Sequence, residues 1–393
     1  MQKSNFSTTI AIDTERSAFH FYSMVGDDKS TIAHYIKNYS GAQFDEEFFK
    51  QFKDAIKDFA ASNPSENVRK VTVVLPDNAV VTDTVKVPSM KGAAQQKKSL
   101  ETMLDGLFRN YKDLRVTSQV VQQNKQYTTF AITAVQKRIV SAIFAACSEN
   151  KFLVDNLTYY SSAAVSGAVT LNSKLKGATY LFLDIKDAYA RFAFVSGGKV
   201  VGYYPLPFGL DFLRKHRVLQ EDMLFDHSLA ELTVQTAKEK ASQARGLILE
   251  DDEYDEREDD ERLTDDESDV VQSASNRSRN GRKAPRRLPE FMLREIPKTK
   301  EGVLYENFRV FVKWALTLIR ENEVIAELGK PAFVCVNLPR ELLGVLDAVN
   351  AEVEENGINF IPVTTENEKP KVLLNLELYG SLFVKQISVS GRF

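Results

Sequence analysis

Two stretches of this chain follow one plan. TTIAIDTERSAFHFYSMVGDDKSTIAHYI, residues 8–36, reads as a strand, a turn, a strand around AFHFYSMV, a turn at Gly26-Asp27-Asp28 and a third strand. ATYLFLDIKDAYARFAFVSGGKVVGYYPLP, residues 178–207, reads as strand, turn, strand, Gly-Gly turn and strand again. In each the first strand closes on an aspartate, Asp13 and then Asp184. Internal repetition constrains a fold more than any single short motif. With 393 residues, more than one core normally serves, the repeat predicts two lobes, each opening with an antiparallel meander.

The rest of the chain arranges itself around these meanders. FDEEFFKQFKDAIKDFAA, residues 44–61, places Phe44, Phe48, Phe52, Ile56 and Phe59 at helical spacing, so an amphipathic helix follows the first meander, its stripe most simply a buried face. Asn63-Pro64-Ser65 ends it. Residues 67–154 then read as a compact α/β unit of alternating strands and helices lying between elements of the first lobe, and therefore as an insert. FLVDNLTYYSSAAVSGAV supplies a strand and a helix that return to that lobe. The expected division is a first lobe of 1–66 and 155–176, the insert 67–154, a second lobe of 177–209 and 330–393, and a helical subdomain 210–329.

Within that subdomain residues 249–288 join a long acidic run to a basic tail with almost no large apolar residues. Such a stretch cannot bury enough surface to offset its ordering entropy, and is read as a disordered, charge-segregated loop, either a solvated spacer or an interaction arm. Composition excludes more than it selects. A net charge of −3 gives no reason to expect nucleic acid or an anionic membrane surface. Cys147 and Cys335 each sit in an apolar run without a CxxC companion, as buried small hydrophobes in a reducing compartment do. The N-terminus lacks a signal-peptide pattern, and no window approaches the roughly 18 apolar residues of a membrane span, which predicts a cytosolic protein. His20, His34, His216 and His227 are scattered, with no carboxylate or cysteine companions at ligand spacing. No GxSxG, HExxH or P-loop pattern is present.

VTVVLPDNAVVTDTVKVP (71–88), FAITAVQKRIVSAIFAACSENKFLVDNLTYYSSAAV (130–165) and YLFLDIKDAYARFAFVSGGKVVGYYPLPFGLDFL (180–213), in this order around the two meanders, resemble the actin-like ATPase superfamily. Within it the likeness is to the PilM proteins of type IV pilus assembly and their FtsA relatives. The resemblance implies an α/β, two-lobed, ribonuclease H-like duplicated fold with an inserted SHS2-like subdomain. It also identifies the two aspartate-ended turns as the places where that fold holds the phosphates of ATP with Mg.

At both turns the residues depart from the family pattern. The first phosphate hairpin usually reads Asp-x-Gly-Ser/Thr, because glycine lets backbone N–H groups approach the phosphates. Here Asp13-Thr14-Glu15-Arg16-Ser17 puts Glu15 at the glycine position, with Arg16 as a partial compensation. The second reads Asp184-Ile185-Lys186-Asp187-Ala188-Tyr189, with Lys186 in place of glycine; it could pair with a phosphate or stand as a solvated turn lysine. The late strand AFVCVNLPRELLG gives Asn337-Leu338-Pro339-Arg340 where the family has a Gly-Gly turn for adenosine. If ATP is retained, the resemblance assigns its contacts to Asp13, Thr14, Arg16, Ser17, Asp184, Lys186 and Asp187; no catalytic residue and no separate metal site is assigned.

These departures predict a pseudo-ATPase in which strand-end aspartates outlast the chemistry, since a carboxylate cannot compensate for phosphates held out of place. The expected role is a cytoplasmic scaffold that docks the tail of a PilN-like inner-membrane protein near the insert. It would meet the membrane only through such partners and the pilus assembly proteins, with a homo-oligomer or filament as a further option and no nucleic acid. An active FtsA-like ATPase using Arg16 and Lys186, and the related scaffold of type II secretion, are the competing readings. The C-terminal VKQISVSGRF lacks the amphipathic pattern of a direct membrane anchor.

Overall fold

The computed structural model describes residues 6–14, 16–25, 32–63, 69–108, 110–187, 189–206, 209–215, 300–321, 331–338, 342–343, 346, 350, 359–364 and 375–383. Several sequence expectations fall outside them: Glu15, the Gly26-Asp27-Asp28 turn, the helical reading of 216–246, His216 and His227, the charged stretch 249–288, Pro339-Arg340 and the C-terminal ten residues.

Strands β1 (Phe6–Asp13), β2 (Ala18–Val25) and β3 (Ile32–Asn38) form the first meander, with Asp13 opposite Ala18 and Ile10 opposite Phe21. Helix α1 (Glu46–Ser62) follows. The Asp45 carboxylate accepts the Phe48 N–H at 2.7 Å, and Glu46 and Glu47 sit at the positive end of the helix dipole. The helix buries Phe48, Phe52, Ala55, Ile56 and Phe59, in one core with Phe19 and Phe21 of the sheet. The aromatic stripe is thus a core face, as the spacing predicts.

Strand β4 (Arg69–Leu75) then pairs parallel to β1, and a 3-10 turn at Asp77–Ala79 leads out of the lobe. The insert is strand, helix, strand, strand: β5 (Val81–Pro88), α2 (Ala93–Leu107), β6 (Leu114–Gln123) and β7 (Tyr127–Gln136), a three-stranded sheet in the order β5-β7-β6. Its own core contains Val85, Val87, Leu100, Leu104, Phe130 and Ile132. Helix α3 (Lys137–Glu149) and strand β8 (Phe152–Tyr159) return the chain, and β8 pairs parallel to β4. The expected insert 67–154 is therefore too wide. Parallel pairing puts β4 and β8 in the first sheet, and Ile139, Val140, Ile143 and Cys147 of α3 belong to the first core.

Helix α4 (Tyr160–Leu171) closes the first lobe, and the second repeats its plan. Strands β9 (Tyr180–Ile185), β10 (Ala190–Ser196) and β11 (Lys199–Leu206) form the second meander, followed by α5 (Leu210–Lys215) and α6 (Lys300–Glu321). Strands β12 (Phe333–Asn337) and β13 (Asn359–Pro362) precede helix α7 (Leu376–Ser381), the last among the described residues. The two sheets read β3-β2-β1-β4-β8 and β11-β10-β9-β12-β13: in each, a meander feeds two further parallel strands through its first strand. Every residue of β9 and β10 is buried, which explains their near-continuous apolar runs. The lobes share one core, since Tyr180, Phe182, Val195 and Leu376 cluster with the first-lobe aromatics. Helix α7 also reaches across, packing Leu378 and Tyr379 with Ala11, Tyr22 and Val74 of the first sheet.

Candidate functional site between the two meander turns

Side chains at the carboxyl ends of parallel strands line the crevice where α/β sheets place ligands. Here those ends are Asp13 on β1, Asp184 on β9 and Asn337 on β12.

Asp13 is nearly buried, and its Oδ1 accepts the backbone N–H of Arg16 at 3.0 Å, which closes the first turn. Thr14 is half-buried in that turn; Ser17, exposed and left-handed at φ 49°, accepts the Tyr39 N–H through its carbonyl at 2.8 Å. Burial, with Asp13 nearby, pushes the Tyr39 phenol up to about 12. The other Asp13 oxygen lies 3.5 Å from His20 Nε2, and His20 Nδ1 hydrogen-bonds His34 Nε2 at 2.9 Å. Sequence reading took these histidines as scattered and without companions. The β2–β3 register, which sets Tyr22 against His34 and Ile36 against His20, makes them diagonal neighbours beside Asp13.

Burial first, and His20 second, lower the His34 pKa from its ordinary value of 6.5. A depressed histidine favours the neutral ring in the folded state, so its contribution to stability is present above about pH 6.5 and is lost as pH falls through the folded-state pKa. Thermal melts at pH 7.5 and 5.5 are expected to show a drop that His34→Gln reduces; an unchanged drop would assign it to other groups.

In the second turn, Lys186 N–H donates to Tyr189 O at 2.8 Å, and the chain before α5 folds back on the hairpin. Leu210 N–H donates to Lys186 O and Asp211 N–H to Asp187 O. A Cβ on Gly209 would stand 2.4 Å from Lys186 O and 2.5 Å from Tyr189 N, so a glycine is required there, on the segment that covers the turn.

Lys186 is neither a solvated turn lysine nor an open cation. It is 9% exposed, and its ammonium donates to Glu377 Oε2 of α7 at 3.1 Å and lies 3.6 Å from Asp184 Oδ1. Burial disfavours its charge, but Asp184 and Glu377 outweigh that and hold its pKa above the ordinary lysine value. Asp184, fully buried, accepts the Asn337 amide N–H at 2.8 Å and faces Arg191 Nε at 3.7 Å. Arg191 in turn donates to Asp77 Oδ2 at 2.8 Å and to Tyr189 Oη at 2.5 Å, with its guanidinium 5.1 Å over the Tyr160 ring. Asp77 also accepts the Ser161 N–H and Oγ–H at 2.9 and 2.8 Å, while Tyr203 of β11 donates to the Asp77 and Val80 carbonyls. At the exposed mouth, Arg16 of the first turn faces Asp187 of the second at 4.0 Å.

The structure thus brings Asp184 and Lys186 into one buried cluster and Arg16 and Asp187 to its rim, while Asp13 belongs to a separate group with the two histidines. Asp77, Arg191, Tyr203 and Glu377 were not picked out in the sequence.

Neither family models nor curated proteins match this sequence. Solved structures do. A PilM-PilN type IV pilus biogenesis complex has a chain 12% identical, and the alignment covers 98% of this chain and 100% of that one with a TM-score of 0.52. The protein has the actin-like ATPase fold. MreB 5 of Spiroplasma citri bound to AMPPNP is also similar, at 11% identity over 96% of this chain and 95% of that chain, TM-score 0.38. So is the cytoplasmic domain of EpsL, an inner-membrane component of the type II secretion system of Vibrio cholerae, at 10% over 53% and 73%, TM-score 0.35. Among the described residues of this actin-like chain, no helix is long and apolar enough to cross a membrane.

Proposed function

We propose that this actin-fold protein is a scaffold of a type IV pilus-like assembly, that it acts at the cytoplasmic face of the membrane through its partners, and that its interlobe cleft does not hold ATP. The observation that carries the second half is the Lys186–Glu377 pair, closed at 3.1 Å and buried. Lys186 and Arg191, the cations nearest the second turn, are each held by this chain's own carboxylates, and Arg16 faces Asp187. A triphosphate entering here would meet Asp13, Asp184 and Glu377, and would have to displace carboxylates that already satisfy the two buried cations. That arrangement does not fit a polyphosphate, and it argues against Arg16 and Lys186 as substitutes for glycine-loop amides. Glu377 joins the lobes without a nucleotide, since α7 packs on the first sheet while Lys186 belongs to the second.

The partner reading rests on the likeness to the PilM-PilN complex and on a small pocket at the seam between the first lobe and the insert. Val80, Val135, Val140, Phe144 and Leu157 form its apolar lining. The cytoplasmic tail of a PilN-like membrane protein docks at this seam, near the insert. The test is fluorescence anisotropy with a labelled peptide of the cytoplasmic tail of a PilN-like protein. Binding that Phe144→Ala weakens at least tenfold, with the fold intact by circular dichroism, is expected; absence of binding to the unaltered protein would overturn the reading.

A further inference from the structure

The same pocket carries a feature that apolar packing does not explain. Of its eleven lining residues Arg115 on β6, which is half-buried, bears the only charge, and among the described residues its guanidinium makes no ion pair or hydrogen bond. Thr158 also lines the pocket; it is 1% exposed, and its Oγ1 has no hydrogen-bond partner. Thr133, by contrast, is bonded to Tyr159. A guanidinium beside an apolar floor and a buried unpaired hydroxyl are groups whose cost falls when a ligand supplies acceptors. Strand β6 is an edge strand, paired with β7 alone among the described residues, and Arg115 and Thr117, two residues apart on it, both line the pocket.

We propose that Arg115 makes this pocket selective for an acidic side chain: the occupant is an extended partner segment that seats an apolar side chain on Val140, Phe144 and Leu157 and pairs a neighbouring aspartate or glutamate with Arg115. This rests on the docking reading above and adds the chemistry the tail must carry. Extended chain beside the Arg115–Thr117 end of β6 sets alternate side chains on one face, which suits an apolar residue and a carboxylate two positions apart. The planar fork of arginine favours a carboxylate over an amide or a hydroxyl.

The test uses the full chain with methyl-labelled valine and leucine, and two probes of like size, 4-phenylbutyrate and 4-phenylbutanol. Titration of the acid is expected to shift the Val80, Val140 and Leu157 methyl signals with at least fivefold tighter binding than the alcohol. Arg115→Gln is expected to abolish that preference while leaving the weak alcohol binding in place. Equal binding of acid and alcohol, an acid preference that survives Arg115→Gln, or no shift with either probe would each overturn the proposal. With the tail peptide, equal binding to the unaltered protein and to Arg115→Gln would remove the acidic selectivity and leave the docking reading standing. Failure of the peptide to bind either protein would remove the docking reading itself.

Discussion

Gly380→Ala is expected to lower the melting temperature by about 4 °C or more, or to prevent folding, because there is no space for a methyl group where α7 crosses α4. A Cβ at Gly380 would lie 1.9 Å from Ala163 O and 2.4 Å from Gly167 N, and both are backbone atoms that cannot turn aside. The opposing glycine is as tightly placed: a Cβ on Gly167 would stand 2.7 Å from Leu376 O. Overpacking in a core costs about 1–3 kcal/mol when side chains can give way. Here the helices themselves must separate, so about 3 kcal/mol or more is expected, which over a chain of this size corresponds to the stated shift. Separation would also withdraw Glu377 from Lys186 and Ser381 from its hydroxyl contact with Thr9. Gly106→Ala is the control, since nothing lies within 4 Å of its Cβ and it sits in α2, where alanine is favoured by about 0.5–1 kcal/mol. Equal melting temperatures for Gly380→Ala and the unaltered protein would contradict the close crossing.

Asp77→Ala is expected to cost about 3–5 kcal/mol, the usual penalty for leaving a buried charge without its partner. It strips Arg191, 5% exposed, of its 2.8 Å carboxylate and takes both hydrogen bonds from Ser161 at the start of α4. The Tyr203 bonds survive because they go to backbone carbonyls. Arg191→Met is expected to be similarly costly, since Asp77 and Asp184 then face each other's region without that cation. The double variant should fall short of the summed losses by at least 1 kcal/mol, as directly paired groups do. Urea denaturation of the four proteins measures this; strict additivity would mean that Asp77 and Arg191 stabilise independently.

The duplicated plan was legible because it is local. Alternating and apolar runs ending in Asp13 and Asp184 specify two meanders, and the structure builds both with matching sheet orders. Helix α1 was legible from its phenylalanine spacing, whereas its Asp45 cap was found only in the structure. The insert's edges were not, because VRKVTVVL is equally good as an outer or a central strand until β8 arrives to pair with it. The site was legible only in part. Asp184 and Lys186 stood out by position, yet their partners are far along the chain: Glu377 is 191 residues from Lys186, and Asp77 is 114 from Arg191. No sequence window holds such a pair, and only the closing of two lobes on each other brings it together. The His20–His34 contact lay nearer to hand, 14 residues apart, and the register of the hairpin was the signal that would have found it.

The most direct test of a cleft filled by its own ion pairs is calorimetric titration of the full chain with Mg-ATP, run beside Glu377→Ala. Lys186 and Arg191 are already paired with Glu377, Asp184 and Asp77, so the unaltered protein is expected to give no binding heat up to millimolar nucleotide. Saturable binding of Mg-ATP to the unaltered protein at tens of micromolar or tighter would contradict the account and restore the nucleotide to this fold.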